Sequence, residues 1–156
     1  MQVIDRIKVD YDEFTSLITF YYHCLVTDVN AQYKIIPSVS RGGLMSVRLG
    51  FIRNGWLFFE SAHISIDEQV FSFGNVDPHR EVLSGGNILE VATVNLQDEL
   101  LESLIQAEQA VIRFTGQDNQ TVDHHLTQEE LNAFKVLGTL NDLNVLSRRQ
   151  SWWEGH

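Results

Sequence analysis

The stretch Met45-Ser46-Val47-Arg48-Leu49-Gly50-Phe51-Ile52-Arg53-Asn54-Gly55-Trp56-Leu57-Phe58-Phe59-Glu60-Ser61-Ala62-His63-Ile64-Ser65-Ile66-Asp67-Glu68-Gln69-Val70-Phe71-Ser72-Phe73 decides the fold class. Asn54-Gly55 tolerates the positive φ angles of a type I′ turn and separates two runs rich in β-branched and aromatic residues, which predicts a two-residue hairpin between 45–53 and 56–66. That register sets Arg53 opposite Trp56, Phe51 opposite Phe58, Gly50 opposite Phe59, Leu49 opposite Glu60 and Val47 opposite Ala62. A second tight turn at Asp67-Glu68 sets Ile64 opposite Phe71 and Ala62 opposite Phe73. Both turns select the same inward face, made of Val47, Leu49, Phe51, Phe58, Ala62, Ile64, Phe71 and Phe73, so the expectation is an antiparallel meander from 45 to 73.

Upstream, 17–27 is a near-continuous apolar and aromatic run, and 33–39 is a shorter one interrupted by Pro37; both read as strands, the second at a sheet edge. Downstream, 80–83 and 88–94 flank Ser84-Gly85-Gly86 and read as a further hairpin. Asn95 is placed to cap a helix over 96–107, with Leu100, Leu101, Leu104 and Ile105 as its apolar stripe. Thr127-Gln128-Glu129-Glu130 is a capping box with Leu126 and Leu131 positioned as its hydrophobic staple, which predicts a helix over about 128–143. Gly138 inside that helix weakens it by about 1 kcal/mol relative to alanine, or allows close packing on the sheet. Between the helices, 109–115 and 120–126 pair around Gly116-Gln117-Asp118-Asn119. If Ile112, Phe114, Val122 and Leu126 all face the core, Phe114 pairs with Val122, Arg113 with Asp123 and Val111 with His125, leaving Arg113 and Asp123 as an ion pair on the outer face. The fold class is α+β: a twisted antiparallel sheet or partial sandwich of seven to nine strands with two C-terminal helices.

At 156 residues with 44% hydrophobic residues, the chain has the length and apolar content of a single domain, assigned to 1–146 with a tail over 147–156. Eleven basic against 21 acidic side chains give a formal charge of −10, which opposes non-specific binding to nucleic acid or to anionic membranes. Cys24 is the single cysteine, so there is no intramolecular disulfide and no CxxC zinc module. The start lacks the apolar core of a secretory signal and no run approaches about 18 apolar residues, so the expected location is the cytoplasm.

Once these strands are placed, residues 45–143 resemble a domain of bacterial hypothetical proteins, many of them lipoproteins, to which no activity is assigned. The likeness rests on Trp56-Leu57-Phe58-Phe59-Glu60-Ser61, Ile88-Leu89-Glu90-Val91, Val111-Ile112-Arg113-Phe114-Thr115-Gly116, Asp123, and Leu126-Thr127 through Glu130 and Ala133. The chain departs from that family in lacking a lipoprotein signal with its anchoring cysteine, and in carrying Leu89 and Val91 where tryptophans are common. The resemblance implies an α+β fold and adds no chemistry.

The residues themselves offer few catalytic constellations. Arg41-Gly42-Gly43 and Ser84-Gly85-Gly86 lack phosphate-loop spacing and read as turns, no GxSxG elbow occurs, and His23 and Cys24 point to opposite faces of their strand. Asp123-His124-His125 is the best metal candidate, yet strand alternation leaves only Asp123 and His125 on one face, so His63 or His79 would have to supply a third ligand. Glu60 and Glu90 are the carboxylates best placed to act as an acid–base pair, if partly buried; an ordinary role would tie them to backbone groups or to Arg48 or Arg113. The acidic groups Asp98-Glu99-Glu102 and Glu129-Glu130 read as solvated helix faces. In the tail, Arg148, Arg149, Trp152 and Trp153 combine the residue types most enriched in interface hot spots, and the two indoles must rest either on the chain's own sheet, with the tail folded back, or on a second subunit or partner. The leading expectation is therefore a non-catalytic protein-interaction module with no cofactor and no bound metal. It would act by self-association or by inhibitor- or immunity-type binding of a protein partner. The alternative is a small-molecule-binding or metal-assisted hydrolytic enzyme using Glu60 and Glu90 or Asp123 and His125.

Overall fold

A computed structural model of the chain describes residues 7–13, 17–22, 32–40 and 45–139. The ten strands among them form two antiparallel sheets. The larger contains β1 (Ile7–Asp12), β2 (Leu17–Tyr22), β3 (Tyr33–Ser40), β4 (Met45–Arg53), β7 (His79–Val82) and β8 (Ile88–Asn95), in the order β1-β2-β3-β4-β8-β7. The smaller contains β5 (Ser61–Ile66), β6 (Gln69–Asn75), β9 (Ala110–Thr115) and β10 (Thr121–His125), in the order β10-β9-β5-β6. Helix α1 (Asp98–Ile105) joins β8 to β9, and a second helix, α2, occupies 128–139. The α+β class holds.

The sheets face each other through their apolar sides. Phe51 of β4 meets Phe114 of β9 edge-on at 5.0 Å, and Phe59 touches both rings, at 5.6 and 5.1 Å. Leu100, Leu101 and Leu104 of α1 and Leu131, Phe134 and Leu137 of α2 belong to the same buried cluster, so the helices close the core that the sheets begin.

The Asn54-Gly55 hairpin does not form. β4 pairs with β3 and β8, β5 pairs with β6 and β9, and residues 56–60 are not a strand but a crossover carrying the chain from one sheet to the other. The apolar pattern that suggested a hairpin is equally satisfied when two strands face each other across a core, because both arrangements bury the same side chains. Phe58 is the casualty of the expected register: it is half-buried with φ of 55°, whereas Val47, Leu49, Phe51, Ala62 and Ile64 are buried as expected. The Asp67-Glu68 turn does form, with both residues at positive φ and Ile64 opposite Phe71. A bulge between Ala62 and His63 then sets Ala62 against Gly74 rather than Phe73.

β3 is interior, not an edge: it pairs with β4 along Tyr33–Val39 and with β2 only over Ser38–Ser40, so Pro37, with no N–H to donate, lies just beyond the β2 ladder. Of the run 17–27, the strand covers Leu17–Tyr22, and the remainder lies outside the described residues, as do His23, Cys24 and the 41–43 turn. The hairpins 79–95 and 110–125 form, the latter in the expected register, with Phe114 opposite Val122, Arg113 opposite Asp123 and Val111 opposite His125.

Asn95 ends β8 and does not cap α1, whose N-cap is Gln97 with no side-chain bond. The capping box of α2 is complete: the Glu130 N–H donates to Thr127 Oγ1 at 3.1 Å, and the Thr127 N–H donates to Glu130 Oε1 at 2.8 Å. Gly138 permits close packing against α1 rather than the sheet, since a Cβ there would lie 2.5 Å from Ile105 Cδ1.

Candidate functional site

Two buried carboxylates stand out among the described residues, and neighbouring groups engage both. Glu90 is 0% exposed. Its Oε2 accepts the Leu57 N–H at 2.8 Å, and its Oε1 accepts the Phe59 N–H and Arg80 Nε, each at 3.1 Å. Arg80 Nη2 also donates to the Phe59 carbonyl at 3.0 Å. An extended chain separates the N–H groups of residues i and i+2 by about 6.6 Å, too far apart for one carboxylate. The left-handed turn at Phe58 shortens that span and aims both groups at Glu90. The Phe58 ring then stacks on Trp56 at 5.0 Å and lies 5.6 Å from the Arg80 guanidinium, contacts that offset the cost of a non-glycine residue in this region. The Glu90–Arg80 pair thus pins the crossover.

Glu60 has an exposed side chain, while its backbone ties the start of β5 to Thr115 and Val76. The two candidate acid–base residues therefore occupy opposite environments, one sealed and hydrogen-bonded, the other solvated. The partner of Glu90 is Arg80, not Arg48 or Arg113. The hairpin around Ser84-Gly85-Gly86 carried that information, because Val82 opposite Ile88 requires Arg80 opposite Glu90.

Glu130 is the second buried carboxylate and corrects its reading as a solvated helix charge. Besides the capping bond, its Oε1 lies 2.8 Å from His124 Nε2, and the imidazole stacks on Tyr33 of β3 at 4.1 Å. His124 points to the core side, as strand alternation required, and links β10, β3 and the start of α2.

The accessible chemistry lies on the outer face of the four-stranded sheet. A groove of about 570 Å³ is lined by His63, Ser65, Val70, Val111, Arg113, Asp123 and His125, one or two residues from each of the four strands. Within it Arg113 grips Asp123 with two parallel bonds, Nε to Oδ1 at 2.7 Å and Nη2 to Oδ2 at 2.8 Å. These bonds hold the Asp123 carboxyl below its ordinary pKa against the opposing effect of partial burial, and raise that of Arg113. His63 does share the groove with Asp123 and His125, whereas His79 sits on β7 and pairs with Glu81 at 3.4 Å. Among the described residues no three of His, Cys, Asp and Glu converge as metal ligands, and no helix is long and apolar enough to cross a membrane. Arg148, Arg149, Trp152 and Trp153 lie outside the described residues.

No protein-family model matches the chain and no curated protein matches it.

Proposed function

We propose that the protein is a non-catalytic protein-interaction module whose recognition surface is the outer face of the β10-β9-β5-β6 sheet. The observation that carries this reading is that the seven groove-lining residues among those described all belong to one face of one sheet. Small-molecule sites bury about 70–90% of their ligand between opposed walls. A groove with a floor and, among the described residues, no second wall suits the surface of another protein, which supplies the missing side itself. Val70 and Val111 provide the apolar part of the contact and the Arg113–Asp123 fork a fixed polar part, with the charged residue type most enriched in interfaces. The formal charge of −10 favours a basic partner, as in inhibitor- or immunity-type binding, and the tail residues Arg148, Arg149, Trp152 and Trp153 are proposed as a second contact.

The enzyme alternative draws less support: Glu90 is sealed by three donors, and Arg113 already holds Asp123. The test is capture from lysate of the native source with the intact chain, the Val111→Glu variant and a chain ending at Leu146, followed by hydrogen exchange of the purified complex. The reading expects protection on β5, β9 and β10 and at least a tenfold weaker complex for Val111→Glu, about 1.4 kcal/mol. No stoichiometric partner, or a footprint confined to the larger sheet, refutes it.

A further inference from the structure

We infer that the chain forms a two-fold symmetric dimer by antiparallel pairing of β6 with β6 of a second copy, giving a continuous eight-stranded sheet. The two sheets present four outer strands, and three carry the devices that discourage pairing. β1 contains Lys8, Asp10 and Asp12, β10 contains Asp123, and β7 is four residues long with Arg80 and Glu81. β6, Gln69-Val70-Phe71-Ser72-Phe73-Gly74-Asn75, runs for seven residues without a charge or a proline. Among the described residues it pairs with β5 alone, and Val70 is 66% exposed.

Its backbone dictates what binds there. In a two-residue hairpin the residues closing the turn, here Ile66 and Gln69, exchange both hydrogen bonds, and the pattern alternates from there. Gln69 and Phe71 therefore bond to β5, while the N–H and C=O groups of Val70 and Ser72 point to the open edge. Beyond the bulge, the Gly74 N–H is taken by Ser72 Oγ at 2.9 Å. Only one symmetric register uses all four outward groups of each copy and nothing else: Val70 opposite Ser72 of the second copy, with Phe71 opposite itself on the axis. It forms four backbone hydrogen bonds and a close aromatic pair. The uncharged second β6 is the neutral extended strand this edge matches, despite a charge of −10 on each chain. The Asp67 carboxylate at the end of the hairpin is turned away, accepting the backbone N–H groups of Glu108 and Gln109. Because Val70 lines the groove, pairing joins the two grooves across the axis.

The dimer stands on β6 alone and does not depend on the identity of any other partner. Light scattering behind size exclusion, over a concentration series of the full chain, should give twice the 17.9 kDa chain mass, with tighter association as salt screens the mutual repulsion. Hydrogen exchange should show the Val70 and Ser72 amides becoming protected as concentration rises. Val70→Pro, which deletes an outward N–H, and Val70→Lys, at a position exposed enough to tolerate it, should each weaken the dimer at least tenfold with circular dichroism unchanged. Val82→Lys on β7 and Val111→Glu in the groove should leave the mass unaltered. A wild-type chain that stays monomeric, or a dimer that survives both Val70 variants, overturns the inference and leaves the groove reading standing. A wild-type dimer that captures no partner, or capture undiminished in Val111→Glu, sinks the groove reading instead and leaves the dimer standing.

Discussion

Replacing Glu90 by glutamine tests whether the crossover between the sheets is held by a charge or merely by shape. Glutamine keeps the volume and one acceptor, which can serve the Phe59 N–H and Arg80 Nε, but turns an NH2 towards the Leu57 N–H, two donors facing each other. A buried N–H left without an acceptor costs about 1–3 kcal/mol. Removing one partner from a fully buried ion pair costs about 3–5 kcal/mol, and that figure must be discounted because Arg80 keeps 29% of its side chain in solvent. The two costs overlap, and together they give about 3 kcal/mol, a large part of the roughly 5–15 kcal/mol that stabilises a domain. With a urea slope of about 2 kcal/mol per molar, the unfolding midpoint should fall by about 1.5 M without a change in slope. Trp56, stacked on Phe58 beside the latch, supplies the fluorescence signal. Arg80→Met and the double variant complete a cycle whose coupling should be about 1–2 kcal/mol. A loss for Glu90→Gln below about 1 kcal/mol, or two additive single losses, would refute the claim that this pair pins the crossover.

A Cβ at Gly50 would lie 2.2 Å from the Glu90 carbonyl and 2.7 Å from Val91 Cα, both backbone atoms of β8 that cannot step aside. Gly50→Ala should therefore cost about 3 kcal/mol and lower the thermal midpoint by roughly 6–12 °C in calorimetry; an unchanged midpoint would contradict that packing. Thr127→Ala removes one arm of the capping box and should cost about 1 kcal/mol in urea unfolding, whereas Thr127→Ser should be near neutral. The folded Asp123 carboxyl titrates below its unfolded value, so the stabilisation it contributes is present above about pH 4 and is lost as pH falls through the folded value. The stability gap between wild type and Asp123→Asn should accordingly be flat at neutral pH and close under acid, and NMR titration should find the depression of Asp123 abolished in Arg113→Leu.

Local chemistry was legible in the sequence wherever it has one solution. A capping box needs a threonine and a glutamate three residues apart, and Thr127 and Glu130 meet as read. Parity of facing forces an odd loop between β9 and β10, and Arg113 meets Asp123 as read. The Asn54-Gly55 reading failed because a hairpin and a facing pair of sheets demand the same alternation from β4 and β5. What distinguishes them is the partner of β4, namely β8, which lies far along the chain and carries no local mark. The one local hint was Glu60: a tight hairpin would have set this carboxylate opposite the buried Leu49, and the chain avoids that by leaving β4 and starting a new sheet at Ser61.

That change of sheet also sets where the molecule is open. Had β5 continued from β4 in a single meander, β6 would have extended that same sheet. Because the crossover instead places β5 between β6 and β9, β6 becomes the rim of a four-stranded sheet, beside a groove that no second layer covers among the described residues. The Glu90 latch and the open β6 edge are thus two consequences of one event in the chain. A variant that loosens the latch without unfolding the core should loosen the start of β5 first. In native-state hydrogen exchange of Arg80→Met, the Glu60 and Val76 amides, which bond to Thr115 and to Glu60, should lose protection before the Ile112 and Phe114 amides of β9. Uniform loss across both sheets would mean that crossover and sandwich open as one unit, and that the placement of β6 owes nothing to the latch.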